Sequence, residues 1–223
     1  MIAVASSSLG ENAYERYLAA LLRGDRSECG SVVQELLAQG APVKDMYLHL
    51  FQRALYRVGE LWENQEISVA VEHLATAITE RMLTLVHPTV FAGPARRRTI
   101  IVSCVANEFH QIGARMIADL CEVSGWRGDF LSADTSISRL LQRIEDRKPS
   151  LLGLSLALPT NFPSLIQAID AVGAAHPDLP VVAGGQAFKY GPVGALDTRP
   201  GVRYLRSFDD LEPVLASYGR QRA

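Results

Sequence analysis

The chain has 223 residues, of which 48% are hydrophobic and 21% are charged, with a formal net charge of -2 at pH 7. This composition is typical of a globular protein with one large domain or two ordinary ones, and the nearly balanced charge argues against a general nucleic-acid binder, which needs a basic surface. No apolar run reaches the length of a membrane span and the amino terminus lacks a secretory pattern, so we expect a cytoplasmic protein without direct nucleic-acid or membrane partners.

The first ninety residues have the apolar period and the end signals of four helices. Ser27 and Ser68 are candidate amino-terminal caps for the second and fourth helices, and Pro88 is expected to end the fourth. Short connections and one apolar stripe per helix predict an up-down four-helix bundle over residues 1–90. The predicted helices run from Glu11 to Arg23, from Ser27 to Gly40, from Pro42 to Trp62 and from Ser68 to Pro88.

A linker and a second domain follow the predicted bundle. Residues 91–98 mix proline, glycine and arginine without a helical period, as interdomain linkers do. Residues 99–223 alternate continuous apolar strands with amphipathic helices, which predicts an α/β domain with a buried parallel sheet. The predicted strands are Thr99 to Val105, Gly128 to Ala133, Leu151 to Leu158, Val181 to Ala183 and Val202 to Leu205; the helices are Gln111 to Val123, Ile137 to Arg147, Phe162 to Ala175 and Asp209 to Ser217.

Three short motifs lie at or near the carboxyl ends of predicted strands, where ligands bind in open α/β sheets. Glu108 and His110 follow the first strand, and Ser155 lies in the third. The pair Gly184 and Gly185 follows the fourth strand, and glycine lets a ligand approach the backbone because no Cβ stands in the way. A capped turn with a surface histidine is the alternative interpretation of the first motif taken alone.

Taken together, the segments ANEFHQIG (106–113), GLSLALP (153–159) and AGG (183–185) resemble a known signature. They are similar to the D-x-H-x-x-G, S-x-L and GG motifs of cobalamin-binding domains. In that family a four-helix bundle that caps the corrin ring precedes a flavodoxin-like, Rossmann-type domain with a five-stranded parallel sheet. This is the order that the periodicity of the chain predicts.

The resemblance implies a set of cofactor-binding residues. His110 would displace the corrin's own nucleotide base and become the lower axial cobalt ligand. Glu108, which stands where the family usually has aspartate, would fix the tautomer of that histidine. The other implied residues complete the motifs and surround the nucleotide tail: Gly113, Ser155, Ala157 where the pattern prefers leucine, Gly184 and Gly185.

A second motif lies in the predicted bundle. Trp62 is followed, after nine intervening residues, by Glu72 and His73. This spacing resembles the W-x9-E-H motif of CarH-type light sensors, in which adenosylcobalamin is the chromophore and the tryptophan shields the adenosyl group. Glu63 stands where those sensors have the histidine that binds cobalt after photolysis, so either His73 takes that role or the photoproduct has a single histidine ligand. The alternative interpretation is a core tryptophan beside a solvated helix face.

CarH-type repressors begin with a DNA-binding module of the MerR kind, for which we expect no room before the first helix. The chain resembles in layout the photocobilins, which lack that module and carry a bilin, so biliverdin or a related bilin is a second candidate cofactor. We expect a cobalamin-dependent photoreceptor, not an enzyme, that signals through a homo-oligomer or a protein effector. The alternatives are a corrinoid carrier of a methyltransferase system, whose upper face must be open to partners, and a flavodoxin-like module for another ligand.

Overall fold

A computed structural model of the chain describes residues 9–92, 98–189 and 193–220. The chain divides into two compact units, Met1–Ala92 and Gly93–Ala223. Residues 93–97 of the predicted linker lie outside the described residues. Within the described residues, no helix combines the length and the apolar character that crossing a membrane requires.

The first unit is helical, as predicted. Val43–Asp45, Met46–Gln52 and Arg53–Glu63 form one continuous rod, because the residues at both junctions keep right-handed helical dihedral angles. The central part of this rod is a π-helix, which the sequence pattern did not indicate. In chain order the elements are α1 (Glu11–Leu22), α2 (Arg26–Ala38), α3 (Val43–Asp45), the π segment (Met46–Gln52), α4 (Arg53–Glu63) and α5 (Val69–Val90).

Two of the predicted helix ends in this unit are wrong. Asp25, and not Ser27, caps α2: its carboxylate accepts a hydrogen bond from the Glu28 amide at 3.0 Å, and Ser27 lies inside the helix. Pro88 does not end α5, which continues to Val90. A proline so close to the end of a helix removes only one of its last hydrogen bonds, and the burial of Val90 offsets that loss. Ser68 caps α5 as predicted.

The core of the helical unit is aromatic around the π segment. Tyr47 and Phe51 of that segment are fully buried, and the Phe51 ring centroid lies 5.6 Å from that of Tyr17 in α1. The Tyr17 hydroxyl lies 3.1 Å from Oγ1 of Thr79, which itself donates to the Ala75 carbonyl at 3.0 Å. The π segment therefore packs against α1, and a buried hydrogen bond joins α1 to α5.

The second unit is an α/β domain with a five-stranded parallel sheet, as predicted. The strand order is β2-β1-β3-β4-β5, which is the flavodoxin-like order with its reversal between β1 and β3. The elements are β1 (Thr99–Cys104), α6 (Ile112–Val123), β2 (Arg127–Phe130), α7 (Ile137–Arg147), β3 (Leu151–Ser155), α8 (Phe162–Ala175), β4 (Val181–Gly184), β5 (Val202–Tyr204) and α9 (Phe208–Arg220).

Strands β2 and β3 are shorter than predicted, and the other strand ends agree within one residue. β3 ends at Ser155 and does not reach Leu158. The Leu156 amide still donates to the Gly184 carbonyl oxygen at 2.9 Å, but the amides of the next two residues donate to the side chain of Glu108 and leave the sheet. β2 ends at Phe130 because Ser132, at φ 136°, leaves the extended conformation. Helices α7 and α8 bury an apolar face against the sheet, and α6 packs on β1 and β2.

Candidate cofactor site

The carboxylate of Glu108 is the centre of the candidate site. Its side chain is fully buried, and Oε1 accepts hydrogen bonds from the amide of His110 at 3.0 Å and from Nδ1 of the same residue at 2.7 Å. Oε2 accepts from the amides of Ala157 and Leu158, both at 3.0 Å, and from Nδ2 of Asn161 at 3.2 Å. One side chain thus joins the loop after β1 to the loop after β3.

These donors determine the charge of Glu108. Burial raises the pKa of the carboxyl group, but the hydrogen bonds from the His110 ring and from the amides of Leu158, His110 and Ala157 outweigh it, and the pKa falls from 4.5 to about 2. Glu108 is therefore ionised at neutral pH.

His110 presents a half-exposed ring, with 49% of its side chain accessible. An ionised carboxylate can only accept, so the bonding pattern assigns the Nδ1 proton to the contact with Glu108. In the neutral ring, Nε2 is then the nitrogen that can bind a metal. Histidines that ligate metals commonly donate their other ring nitrogen to a carboxylate, so this pair fits an axial ligand of cobalt.

The sheet register brings the other motifs of the domain beside this loop. Cys104 at the end of β1 pairs with Ser155 of β3, which in turn pairs with Gly184 of β4. Gly185 has a φ of 120°, and a Cβ there would lie 2.2 Å from the carbonyl oxygen of Leu156. The backbone itself therefore requires glycine at position 185, apart from any ligand. A Cβ at Gly184 would lie 3.0 Å from the Leu205 carbonyl oxygen, a much milder contact.

Gly113 differs from these glycines because space is open beside it. It lies in the first turn of α6, and a Cβ built there meets no other atom within 4 Å. Ala157, in the loop after β3, is partly buried and binds Glu108 through its amide. Ala157 thus contacts the carboxylate of Glu108, and Gly113 leaves space open beside the start of α6.

Sequence reasoning missed four residues of this region. Asn161 donates to Glu108, and Asp134, in the loop after β2, accepts from the Asn107 amide at 2.8 Å. Phe109 is 67% exposed, and Leu158 is also an exposed large apolar side chain beside the site. A phenylalanine within a polar turn was a usable signal; the contacts of Asn161 and Asp134 depend on loops that meet only in the folded chain.

The motif in the helical unit is on its surface. Trp62, at the end of α4, is 45% exposed and is therefore not a core residue of this unit, whereas the solvated helix face of the alternative interpretation agrees with the exposure of His73. Glu72 and His73 lie in the first turns of α5, and Nδ1 of the histidine lies 2.5 Å from Oε2 of the carboxylate. The other carboxylate oxygen accepts from the Thr76 hydroxyl at 3.3 Å, and 76% of the His73 side chain is accessible.

The fold and the site define a class of protein: a helical domain followed by a flavodoxin-like domain, with a carboxylate-bound histidine at the strand ends. Comparison with protein families specifies that class. A family model for the B12 binding domain matches residues 98–211, and a second model with the same description matches residues 13–86. The chain belongs to the B12-binding domain family.

Two curated relatives come from Myxococcus xanthus. The HTH-type transcriptional repressor CarA is 31% identical over 122 residues, which are 53% of this chain and 41% of that protein. The HTH-type transcriptional repressor CarH is 28% identical over 176 residues, which are 78% of this chain and 57% of that protein. The chain thus spans about half the length of these relatives.

The fold of nearly the whole chain is also found among solved structures. The Methanosarcina barkeri monomethylamine corrinoid protein superposes with a TM-score of 0.80, covering 93% of this chain and 99% of that chain. The sequence identity is 14%, so the likeness establishes the shared fold and nothing finer.

Proposed function

We propose that this protein is a photoreceptor, and not an enzyme, whose chromophore is adenosylcobalamin. The observation that carries the proposal is the exposure of Trp62, 45% accessible at the end of α4. A single exposed apolar side chain is common on protein surfaces, so the proposal depends on its position: Trp62 precedes the Glu72–His73 pair by the spacing of the CarH-type motif. The alignment with the repressor CarH, which extends over 78% of this chain, supports the same subfamily.

On the lower side of the corrin, His110 would hold cobalt through Nε2. Glu108 would keep the ring in the required tautomer and orientation, because its second oxygen is already fixed by the loop after β3. The remaining motif residues would accommodate the nucleotide tail in the crevice at the strand ends: Gly113, Ser155, Ala157, Gly184 and Gly185.

On the upper side, Trp62 would supply a flat apolar surface for the adenosyl group, and Glu72 would accept hydrogen bonds from its sugar hydroxyls. Adenosylcobalamin, when bound, supplies a cobalt–carbon bond that light can break. His73 would be the candidate to bind cobalt once that bond is lost, since Glu63 takes the place of the histidine of CarH-type sensors. A bilin such as biliverdin would be an additional chromophore and is not required for this response.

The response to light would be a change in the position of the helical unit or in self-association. A ligand shifts an equilibrium only by its different affinity for the two states. Contacts between the helical unit and the adenosyl group would exist only before photolysis, so their loss would favour a different arrangement. A homo-oligomer or a protein effector would then transmit the signal.

Absorption spectra and light scattering in the dark and after illumination test this proposal on the adenosylcobalamin-loaded protein. We expect the wild type to show a spectral change together with a change in size or association, and Trp62→Ala to lose the difference in size. Identical dark and light profiles with an intact cobalt–carbon bond would reject the photoreceptor and favour the corrinoid carrier of a methyltransferase system.

His110→Ala should keep the fold and change the cobalamin spectrum; an unchanged spectrum would reject His110 as the ligand.

A further inference from the structure

Asp134 exchanges two hydrogen bonds with the loop that carries His110. Its Oδ1 accepts from the amide of Asn107 at 2.8 Å, and its own amide donates to the carbonyl oxygen of Glu108 at 2.9 Å. The side chain and the main chain of a single residue after β2 therefore bind two consecutive residues after β1. Of these, Glu108 is the residue that holds the His110 ring.

Both ends of this contact have an uncommon backbone conformation. Asn107 has a φ of 66° and Asp134 a φ of 45°, which are left-handed values that most side chains avoid. Asparagine and aspartate tolerate this region better than other non-glycine residues. Such conformations persist where surrounding contacts determine them. Here Asp134 binds the amide of Asn107, and the carbonyl oxygen of Asn107 also accepts from Nδ2 of Asn161 at 3.0 Å.

A different loop, the one after β3, binds the buried carboxylate itself. The amides of Ala157 and Leu158 bind Oε2 of Glu108. The main chain of Glu108 is bound by Asp134 at its carbonyl oxygen, and its amide donates to the Val105 carbonyl oxygen at 3.1 Å. With both the backbone and the carboxylate of Glu108 fixed, Oε1 has one position from which to accept Nδ1 of His110. The orientation of the histidine ring then depends on two loops that follow different strands.

We propose that Asp134 is a positioning residue for the metal-binding histidine, acting through Asn107 and Glu108 without touching the cofactor. The inference rests on the proposed function, in which His110 binds cobalt. Asp134 sets the conformation of the His110 loop before the cofactor binds, so its loss reduces the fraction of bound cobalamin that carries a histidine ligand.

Three variants separate the hydrogen bond from backbone strain and from charge. Asp134→Gly keeps the left-handed conformation without strain and removes the acceptor. Asp134→Asn keeps both the acceptor oxygen and the tolerance of this conformation, and removes the charge. Asp170→Ala is the matched control, because it breaks an exposed ion pair with Arg199 in the same unit, outside the His110 loop.

The first measurement is electron paramagnetic resonance of cob(II)alamin bound to uniformly ¹⁵N-labelled protein, in which a nitrogen ligand from the protein changes the hyperfine pattern. Loss of one hydrogen bond predicts that the ratio of histidine-bound to histidine-free cobalamin falls on the order of three- to tenfold in Asp134→Gly. Asp134→Asn and Asp170→Ala should match the wild type. A wild-type ratio in Asp134→Gly, or an equal loss in Asp134→Asn, would overturn the proposal.

The second measurement needs no cofactor. Hydrogen exchange of the Asn107 amide in the ligand-free protein should be several-fold faster in Asp134→Gly than in the wild type, with Asp134→Asn again close to the wild type. Unchanged exchange would also overturn the proposal. His110→Ala distinguishes a failure of the proposed function from a failure of the role of Asp134. If the ¹⁵N pattern survives in His110→Ala, the assignment of His110 as the ligand fails. If the pattern disappears in that variant while Asp134→Gly behaves as the wild type, only the role of Asp134 fails.

Discussion

Nδ1 of His73 lies 2.5 Å from Oε2 of Glu72, its neighbour in the sequence. Because this contact occupies Nδ1, the exposed ring presents Nε2 as the nitrogen for a metal, which is the arrangement of His110 with Glu108 in the other unit. His73 and His110 thus share this arrangement, one in each unit.

This pair leads to a prediction about the photoproduct. His73→Ala should abolish an upper histidine ligand after illumination, and Glu72→Ala should weaken it by on the order of tenfold, because the carboxylate orients the ring. Absorption spectra of the illuminated, adenosylcobalamin-loaded proteins measure this, with His87→Ala on the same helix as the control. A photoproduct of His73→Ala identical to that of the wild type would instead support cobalt with a single histidine ligand.

A second prediction concerns acid stability of the ligand-free protein. The pKa of Glu108 is about 2 in the folded chain against 4.5 as its ordinary value, so its ionised form stabilises the fold fully above pH 4.5. This contribution is lost as the pH falls from 4.5 toward 2, and the shift corresponds to about 3 kcal/mol. Glu108→Gln lacks the titrating group and places an amide against amide donors. Its deficit in unfolding free energy should be largest near neutral pH and shrink in acid.

Urea unfolding from about pH 6 to about pH 3 measures that difference, with the exposed Glu145→Gln as the control. A deficit of Glu108→Gln that stays constant over this range would show that the carboxyl group titrates with its ordinary pKa in the folded protein.

A third prediction compares two effects that favour glycine, a left-handed backbone conformation and the close approach of another backbone segment. Gly185→Ala meets both a φ of 120° and a Cβ that would lie 2.2 Å from the Leu156 carbonyl oxygen, whereas Gly125→Ala, at φ 83°, meets no atom within 4 Å. The left-handed conformation alone should cost about 1 to 2 kcal/mol at Gly125. Gly185→Ala should cost clearly more, because backbone atoms must also move. Denaturant unfolding of the two variants compares these costs, and equal values would contradict the close approach at Gly185.

A fourth prediction uses the open space at Gly113. Gly113→Leu should preserve or slightly raise the stability of the ligand-free protein, since leucine favours a helix more than glycine does. It should weaken cobalamin binding by about tenfold or more, because the side chain fills space that we assign to the cofactor. Gly173→Leu is the matched control, an exposed glycine of α8 that also meets nothing within 4 Å. Equal affinities in a binding titration would place the cofactor elsewhere.

Local signals were sufficient to predict much of the fold. Helices α7 and α8 have the predicted bounds, and Ser136 caps α7 by accepting from the Arg139 amide. The continuous apolar strands predicted the parallel sheet, because strands buried on both faces need no polar alternation. The prediction that Pro88 ends the fourth helix was wrong, because the rule that proline breaks helices does not account for tertiary burial of the final turn.

The candidate site was predictable only in part. The residues of the His110 motif lie close together in the sequence, so their spacing was visible. The contact between Asn161 and Glu108 joins positions 53 residues apart, and that of Asp134 with Asn107 joins positions 27 apart. Such contacts depend on which loops the sheet order brings together, and a single sequence does not encode that order in any local pattern.

The π segment, Met46–Gln52, determines which way the end of its rod faces. A π turn holds more residues than an α turn, so every residue after it is rotated about the rod axis relative to an unbroken α-helix. Deleting one residue from this segment would rotate α4 by about 100°. Val58 and Leu61, now buried, would lose their place in the core, or the rod would shift to retain them and carry Trp62 with it. The direction in which the indole points is therefore set by an irregularity earlier in the same rod, and insertions or deletions there would change the outward face of α4 without altering any residue on it.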